Sequence, residues 1–433
     1  MDSTNSPSVS LVQKAVVQNQ MLWTAGYSLT SGSFLTYFAR ELGADWTLIS
    51  LILVIPETIG VLAIWSSRLL PMSGSRKQLW WISSWISRII ALGIPLCAID
   101  QIRVQLPQPV VWLTVCLAIS QLFQAIAYLA YLSWLSDLVP ETNWGRFLAR
   151  RNIAKLVILL VVPLAGAFLR DGWKTELPSE KTYAAYLIVF LVGNVLQLAS
   201  LWPMRKLPTV EPMVSSTRHF VFSHLKLAWQ KRSFRYLCLY SWSLAIANGV
   251  TQSAFFHYRY EVLHLSLVNG FLLLNTMNLI KIPLSELAGR WIDRYGARRL
   301  LWGSLMVAAL GTPIWLMSSE ATWGILFLAH ALWGFYAIAN IAQWQLVWKH
   351  SPQSENQTEL GLFRQMGGLF SGLSGFAGGL WLSRVTESGN SVTSGATAII
   401  LISFALRLLA PQWLLLVKDP QNQEKDSSET HDS

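Results

Sequence analysis

The sequence has few charged residues. Asp, Glu, Lys and Arg make up only 13% of its 433 residues, while hydrophobic residues make up 53%. An ordinary soluble domain contains about 25% charged residues, so this chain lacks the polar side chains that would cover a soluble fold. We therefore predict an all-α membrane protein, because a helix satisfies its own backbone hydrogen bonds in lipid.

Cysteine and histidine are also sparse. The three cysteines, Cys97, Cys116 and Cys238, lie in apolar runs at irregular spacing, which excludes a disulfide framework and a zinc-ligand pattern. The seven histidines are scattered, and neither a Ser–His–Asp set nor a nucleotide-binding Gly–Lys motif appears. We expect no enzyme activity, no ATP-driven pumping, no cofactor and no metal site.

Long apolar runs fill most of the chain. Each membrane crossing needs about 20 apolar residues, so this length accommodates about twelve transmembrane helices in two bundles of six. The predicted helices cover residues 18–40, 46–67, 78–99, 110–136, 150–169, 183–203, 236–257, 267–289, 300–318, 323–347, 362–383 and 394–416.

The basic residues gather in alternate loops. Most of the 33 lysines and arginines share one side if the N-terminus is cytoplasmic, which predicts a multi-pass protein of the plasma (inner) membrane with both termini in the cytoplasm. The Ser- and Asn-rich start indicates no removable signal peptide. The expected divisions are a cytoplasmic tail (1–17), a six-helix bundle (18–204), a basic cytoplasmic loop (205–235), a second six-helix bundle (236–417) and a polar cytoplasmic tail (418–433).

A charged turn separates the predicted eighth and ninth helices. It reads G-R-W-I-D-R-Y-G-A-R-R from Gly289 to Arg299. Gly296 permits a tight reversal with positive φ, and arginines at such a turn face cytoplasmic water and lipid phosphate. The spacing resembles the loop signature of the major facilitator superfamily of secondary transporters, which joins the second and third helices of each half. An ordinary basic turn is the alternative.

This resemblance implies the family's two-bundle fold and a gating role for the turn. A second loop, from Ser136 to Asn152, resembles the D-x-x-P...G-R loop of bacterial facilitators. The N-terminal copy of the first turn, around Gly74, lacks the carboxylate of the family motif. The gating residues implied are Gly289, Asp293, Arg294, Gly296, Arg298, Arg299, Asp137 and Arg146.

Four charged residues fall within predicted helices, where each costs about 2.5–3.5 kcal/mol to insert. Glu57 and Lys281 lie near mid-membrane at similar depths in the two halves. Glu57 could exchange a proton and Lys281 could hold an anionic group of a solute; a structural pair, or two separately packed polar groups, is the alternative. Arg88 and Arg407 lie nearer the helix ends, where snorkelling to the interface competes with a functional role.

The first, fourth, seventh and tenth helices, which line the cavity in the resembled family, are the polar helices of this chain. Their polar and aromatic side chains recur on one helical face and must turn inward in lipid. Hydrogen bonding between helices would explain several of them without a substrate. The candidates for substrate binding are Tyr27, Gln124, Tyr128, Asn248, Gln252, Trp333, Tyr336 and Asn340.

The eleventh helix is rich in glycine. Small residues four apart let helix backbones approach closely, which suits a sliding contact with the second helix. In the fifth helix, V-P-L-A-G-A from Val162 to Ala167 partly resembles the proline–glycine motif of the family's exporters. The packing glycines are Gly368, Gly372, Gly375 and Gly379.

Together these patterns predict a secondary transporter that moves a small organic solute by alternating access, coupled to protons, with efflux favoured over uptake. The alternative is a membrane receptor or assembly factor that has the same fold and does not transport. We expect a monomer whose partners are its substrate, protons and the lipid bilayer, without nucleic acid.

Overall fold

The computed structural model describes residues 9–62, 73–138, 144–176, 183–209, 229–350, 356–389 and 391–417. Within these ranges the chain forms helices joined by short turns and contains no strand. Eight helices there are long and apolar enough to cross a membrane, and Trp46–Leu62 is a shorter apolar helix. The predicted all-α membrane fold is confirmed.

Parts of the predicted organisation lie outside the described residues. These are residues 1–8 of the N-terminal tail, 63–72 after the second helix, 210–228 of the basic loop and 418–433 of the C-terminal tail. The side chains of Asp137, Arg146 and Asp293 also lie outside them.

The chain divides into two compact units. Unit 1 comprises Met1–Ser215 and Leu265–Leu272, and unit 2 comprises Ser216–His264 and Leu273–Ser433. Nine α-helices of the described residues lie entirely within unit 1: α1 (Val9–Thr30), α2 (Gly32–Glu41), α3 (Trp46–Thr58), α4 (Arg76–Ala91), α5 (Gly93–Leu96), α6 (Asp100–Gln105), α7 (Pro109–Leu138), α8 (Trp144–Glu176) and α9 (Ala184–Ala199).

The remaining helices continue to the end of the described chain. They are α10 (Arg232–Val250), α11 (Gln252–His257), α12 (Leu267–Tyr295), α13 (Ala297–Ala309), α14 (Leu326–Trp333), α15 (Tyr336–His350), α16 (Asn356–Glu387) and α17 (Val392–Leu409). Short 3-10 turns extend several helices, at Trp202–Lys206, Pro313–Met317, Trp323–Ile325 and Ala410–Leu416, and a π-helical turn follows α11 at Tyr258–Val262.

Several helix boundaries differ from the sequence prediction. The first helix starts at Val9 and is interrupted at Ser31, so that α1 and α2 replace the single predicted helix 18–40. The eighth helix, α12, continues to Tyr295 and therefore includes Asp293 and Arg294 in its last turn. The reversal begins at Gly296, whose φ of 83° requires a residue without a Cβ.

Short polar side chains fix two helix starts in unit 1. The Asp45 carboxylate accepts a hydrogen bond from the Leu48 amide at 2.7 Å, and α3 begins at the next residue. The Ser75 hydroxyl accepts from the Gln78 amide at 3.1 Å at the start of α4. Such caps satisfy amides that have no partner within the helix.

Each unit has its own apolar core. In unit 1, Trp80 of α4 and Trp134 of α7 pack with ring centroids 5.7 Å apart, beside Leu135 and Met204. The core of unit 2 joins three helices and the last 3-10 turn through Phe234, Leu237, Leu301, Leu346 and Leu414. These clusters hold the helices that carry the polar residues described next.

Close backbone contacts also determine how the helices pack. In unit 1, a Cβ on Gly193 of α9 would lie 2.9 Å from the Gly26 carbonyl oxygen of α1. In unit 2, a Cβ on Gly378 of α16 would lie 2.5 Å from the Val250 carbonyl oxygen. Both distances are shorter than a carbon atom tolerates, so glycine is what lets each helix pair approach.

Candidate functional site

A small polar cavity lies inside unit 1, where α1, α7 and α9 meet near the end of α4. The space in which a water-sized sphere can be centred is about 20 Å³, enough for about one water molecule. Its polar lining consists of Tyr27, Thr30, Ser31, Ser120, Gln121, Asn194 and Gln197.

Tyr27 connects this cavity to one of the predicted membrane charges. Its hydroxyl hydrogen-bonds with Ser31 and Gln121, and the Glu57 carboxylate lies close enough to interact with it electrostatically. The Tyr27 ring stacks on Trp23 at 4.8 Å. The side chain of Glu57 is exposed on α3 rather than enclosed among the helices of unit 1. Of these two predicted site residues, Tyr27 lines the cavity, and Glu57 acts on Tyr27 through charge alone.

Helix α9 supplies cavity residues that the sequence reasoning missed. Gln197 donates from Nε2 to the Thr30 hydroxyl at 2.7 Å, and Asn194 donates from Nδ2 to the Phe190 carbonyl at 3.0 Å. The Asn194 side chain is buried, and its Oδ1 has no hydrogen-bond partner. Asn194, Gln197 and Ser200 recur every three residues in an otherwise apolar helix, and that spacing was the available signal.

Arg88 lies within unit 1 and does not reach an interface. Its side chain is 2% exposed, and its Nη2 donates to the Ser200 hydroxyl at 3.1 Å. The snorkelling alternative for Arg88 is therefore wrong. Ser87, its neighbour on α4, donates to the Ser120 carbonyl at 2.8 Å and so joins α4 to α7.

Arg407 is also buried, in unit 2. It donates from Nη1 to the Tyr336 hydroxyl at 2.9 Å, from Nε to the Ser403 hydroxyl at 3.1 Å and from Nη2 to the Thr251 hydroxyl at 3.3 Å. With 5% of its side chain exposed, it does not snorkel either. The predicted site residue Tyr336 thus accepts a hydrogen bond from Arg407, which was not itself predicted as a site residue.

An aromatic cluster surrounds the predicted site residue Trp333. Its ring stacks on Trp315 with centroids 6.1 Å apart and lies 5.4 Å from Phe255 and 4.9 Å from His330. The indole Nε1 atoms of Trp315 and Trp333 are buried without a hydrogen-bond partner. The cluster is a rigid, mostly apolar element of unit 2.

The other predicted binding residues are more open. Gln124, Asn248 and Lys281 are half-buried, and Tyr128 and Asn340 are exposed. Gln252 begins α11. Lys281 is flanked by the exposed Ile282 and Pro283 on α12, so it is not enclosed within its unit as a buried ammonium would be.

The predicted gating turn separates into residues with different surroundings. Gly289, Arg294 and Arg299 are exposed. Arg298 is half-buried and donates from Nη1 to the Val417 carbonyl at 2.8 Å. Gly296 makes the reversal between α12 and α13. Arg298 therefore binds the end of the last described helix, while Arg299 faces outward.

The glycine-rich helix α16 packs on α10 within unit 2. A Cβ on Gly249 of α10 would collide with the Ser371 carbonyl of α16. Of the predicted packing glycines, Gly372, Gly375 and Gly379 are buried and Gly368 is half-buried. The expected sliding contact with the second helix stays a prediction.

A cluster of ion pairs is enclosed in unit 1. Arg170 of α8 is 5% exposed and pairs with Glu41 and with Asp171, the latter at 2.7 Å. Lys174 lies 2.9 Å from the same Glu41 carboxylate, and the Tyr186 hydroxyl donates to it at 2.9 Å. This cluster joins α2, α8 and α9 at one end of the unit.

The model of the Major Facilitator Superfamily matches residues 19–375 of the chain. No curated protein matches the sequence. Among solved structures, similarity extends to a D-xylose–proton symporter (13% identity, 94% of this chain and 97% of that one, TM-score 0.68). It also extends to a bacterial homologue of the human lysosomal transporter Spinster (14%, 96% and 97%, 0.68) and to the nucleoside transporter NupG (15%, 95% and 99%, 0.64). At these identities the likeness concerns the fold.

Proposed function

Because the chain belongs to the Major Facilitator Superfamily, we propose that it is a secondary transporter that moves a small polar organic solute by alternating access. We also propose that it works as a monomer in the inner membrane, with both termini in the cytoplasm. The proposed transport needs no cofactor. The polar cavity of unit 1 is the observation that carries the proposal. A bundle that only had to be stable would gain from filling this space with apolar side chains, because buried polar groups are costly unless paired.

The solute class follows from the chemistry of the two units. Unit 1 offers amide and hydroxyl groups around the cavity, among them Gln121 and Asn194. Unit 2 offers the Tyr336 hydroxyl and the aromatic rings beside Trp333. Amides and hydroxyls suit a polar group of a solute, and aromatic rings suit a flat apolar part.

Proton coupling is assigned to Glu57. Its carboxylate stands on an apolar helix, directly after Pro56, and interacts with the hydroxyl of the cavity residue Tyr27. A proton that neutralises Glu57 would change the charge beside the cavity, which is how a proton gradient could alter solute binding. Lys281 stays a candidate for the corresponding position in unit 2.

We propose efflux as the direction of transport, on the motif from Val162 to Ala167 in α8. Pro163 lies within this helix, and a Cβ on Gly166 would collide with Leu29 of α1. The motif thus has a packing role at the α1–α8 contact, which a moving bundle would have to preserve.

The decisive experiment is transport in liposomes that contain the purified protein and a trapped pH-sensitive dye. Uridine, xylose, tryptophan and benzoate, added in turn, represent nucleoside, sugar, amino acid and aromatic acid. A solute flux that moves protons with it supports the proposal. The alternative outcome is that the protein binds one of these solutes but no solute crosses the bilayer faster than in protein-free liposomes. That result would support a receptor without transport.

A further inference from the structure

Arg88 has more hydrogen-bond donors than the surrounding protein uses. A guanidinium carries five N–H groups, and the Ser200 hydroxyl accepts from Nη2. The Nε and Nη1 atoms are buried and have no partner in the described chain. Burying a cation whose donors lack acceptors lowers the stability of the fold by several kcal/mol. A bound group that accepts from these donors would offset that loss.

No carboxylate in the described part of the chain pairs with Arg88. The other two buried arginines have more partners. Arg170 is paired with Glu41 and Asp171, and Arg407 donates from three nitrogens to three hydroxyls. Arg88 donates to a single hydroxyl, that of Ser200. It is therefore the buried cation of unit 1 whose charge and donors are both left uncompensated among the described residues.

Arg88 lies one helical turn from the unit 1 cavity and is not itself among the residues that line it. Ala91, one turn after Arg88 on α4, lines the cavity, as does Gln197, one turn before the Arg88 partner Ser200 on α9. Ser84, one turn before Arg88, has a buried hydroxyl without a partner. Ser84 and Arg88 thus lie on one face of α4, in the turns that precede the cavity-lining Ala91.

We propose, on the premise of the transport function above, that Arg88 binds an oxyanion of the solute, a carboxylate or a phosphate. The forked donors of a guanidinium match the two oxygens of such a group. Water would satisfy the donors but supply no negative charge. The solute is then an organic anion, and the unpartnered Oδ1 of Asn194 accepts from a hydroxyl or amine beside its anionic group.

The space in unit 1 limits what enters. Because it holds only about one water molecule, a carboxylate or phosphate enters it only when the surrounding side chains move apart, and the remainder of the solute lies outside it. Arg88 would then select by charge, while groups elsewhere select by shape.

The test is thermal stabilisation of the purified full-length protein in detergent, where binding of a ligand raises Tm. Benzoate and phenyl phosphate are the anionic probes, and benzamide and benzyl alcohol are neutral probes of similar size. The wild type should respond to at least one anion with a rise of a few degrees and not to the neutral pair. The benzoate and phenyl phosphate arms then distinguish a carboxylate site from a phosphate site.

Two variants of Arg88 test the assignment. Arg88→Gln should abolish the response to the anion, whereas Arg384→Gln, which changes an exposed arginine on α16, should keep it. If Arg88→Gln does not fold, Arg88→Lys retains the charge without the forked donors, and the concentration needed for half the shift should rise at least tenfold. A wild-type response in Arg88→Gln or in Arg88→Lys overturns the proposal.

Two further results would overturn it: equal shifts with the neutral probes, or a shift that chloride reproduces at the same concentration. Binding in detergent does not require transport, so the two proposals fail separately. Anion binding that depends on Arg88 without any flux in liposomes leaves the site in place and rejects the transporter. Normal flux of solutes by Arg88→Gln rejects the site alone.

Discussion

Arg298 donates a hydrogen bond to the backbone carbonyl of Val417 at 2.8 Å. Unit 1 contains the counterpart of this contact, because Lys77 donates to the Leu207 carbonyl at 2.5 Å. In both units a basic residue in the first turn of a helix binds the carbonyl end of the last helix segment of that unit. Carbonyls at a helix end carry partial negative charge and need outside donors, so part of the basic turn stabilises the fold.

Arg298→Gln should lower the free energy of unfolding by about 1–2 kcal/mol, since a charge-assisted hydrogen bond to a carbonyl is lost. The neighbouring Arg299 is exposed, and Arg299→Gln should change stability by less than about 0.5 kcal/mol. Thermal unfolding in detergent measures both. If the two substitutions are equally mild, the Arg298–Val417 bond contributes nothing to stability.

Glu41→Gln should destabilise the protein much more than Arg298→Gln does. Glu41 is shared by Arg170 and Lys174, and Arg170 is enclosed, so removing the carboxylate leaves a buried cation with fewer partners. Breaking a buried pair in this way costs about 3–5 kcal/mol. The measurement is the midpoint of thermal unfolding.

The control for Glu41 is the more open pair of Asp100 and Arg103, whose charged atoms are 2.7 Å apart. Asp100→Asn should cost at most about 1 kcal/mol, because solvent screens exposed pairs. Similar losses from Glu41→Gln and Asp100→Asn would mean that burial of Arg170 does not set the strength of its cluster.

Gly249→Ala should destabilise unit 2 by about 1–3 kcal/mol through overpacking. The new methyl group would meet the Ser371 carbonyl and the Ser374 hydroxyl of α16. Gly303, in the middle of α13, has open space around its missing Cβ. Gly303→Ala should therefore raise stability by up to about 1 kcal/mol, through helix propensity alone. A loss of stability in Gly303→Ala as large as in Gly249→Ala would contradict the close α10–α16 contact.

The sequence was sufficient for the fold because hydropathy and glycine spacing are local signals. Twenty-residue apolar runs predict helices, and the turn at Gly296 stands where the pattern from Gly289 to Arg299 required it. The helix ends were less accurate, since Asp293 and Arg294 are polar yet continue α12 for another turn. Polarity indicates where a helix leaves lipid, and the helix itself can extend into water.

The surroundings of each charge were not predictable from the sequence. Depth along a helix can be counted, and it singled out Glu57 and Lys281. Which way a side chain faces depends on the neighbouring helices, and the structure encloses Arg88 and Arg407 instead. Arg407 is enclosed because Thr251, Ser403 and Tyr336, which lie up to 156 positions from Arg407 in sequence, supply its acceptors. No pattern within a single helix contains that information.

Glu57→Gln should uncouple proton movement from solute movement. The substitution keeps the size of the side chain and removes the group that can gain and lose a proton beside Tyr27. In liposomes, proton flux that accompanies the solute should fall at least about tenfold, a loss of about 1.4 kcal/mol or more in coupling. Exchange of labelled for unlabelled solute, which needs no net proton movement, should continue near the wild-type rate.

Glu286→Gln is the matched control, because Glu286 also follows a proline in an apolar helix, three residues after Pro283, and is exposed. Glu286 is not among the residues that line the unit 1 cavity, so proton-coupled flux should stay within about twofold of the wild type. Equal proton flux in Glu57→Gln and the wild type would remove Glu57 from the coupling step. A parallel loss in Glu286→Gln would show that the effect follows from removing any helix carboxylate, and the proximity of Glu57 to Tyr27 would then explain nothing about transport.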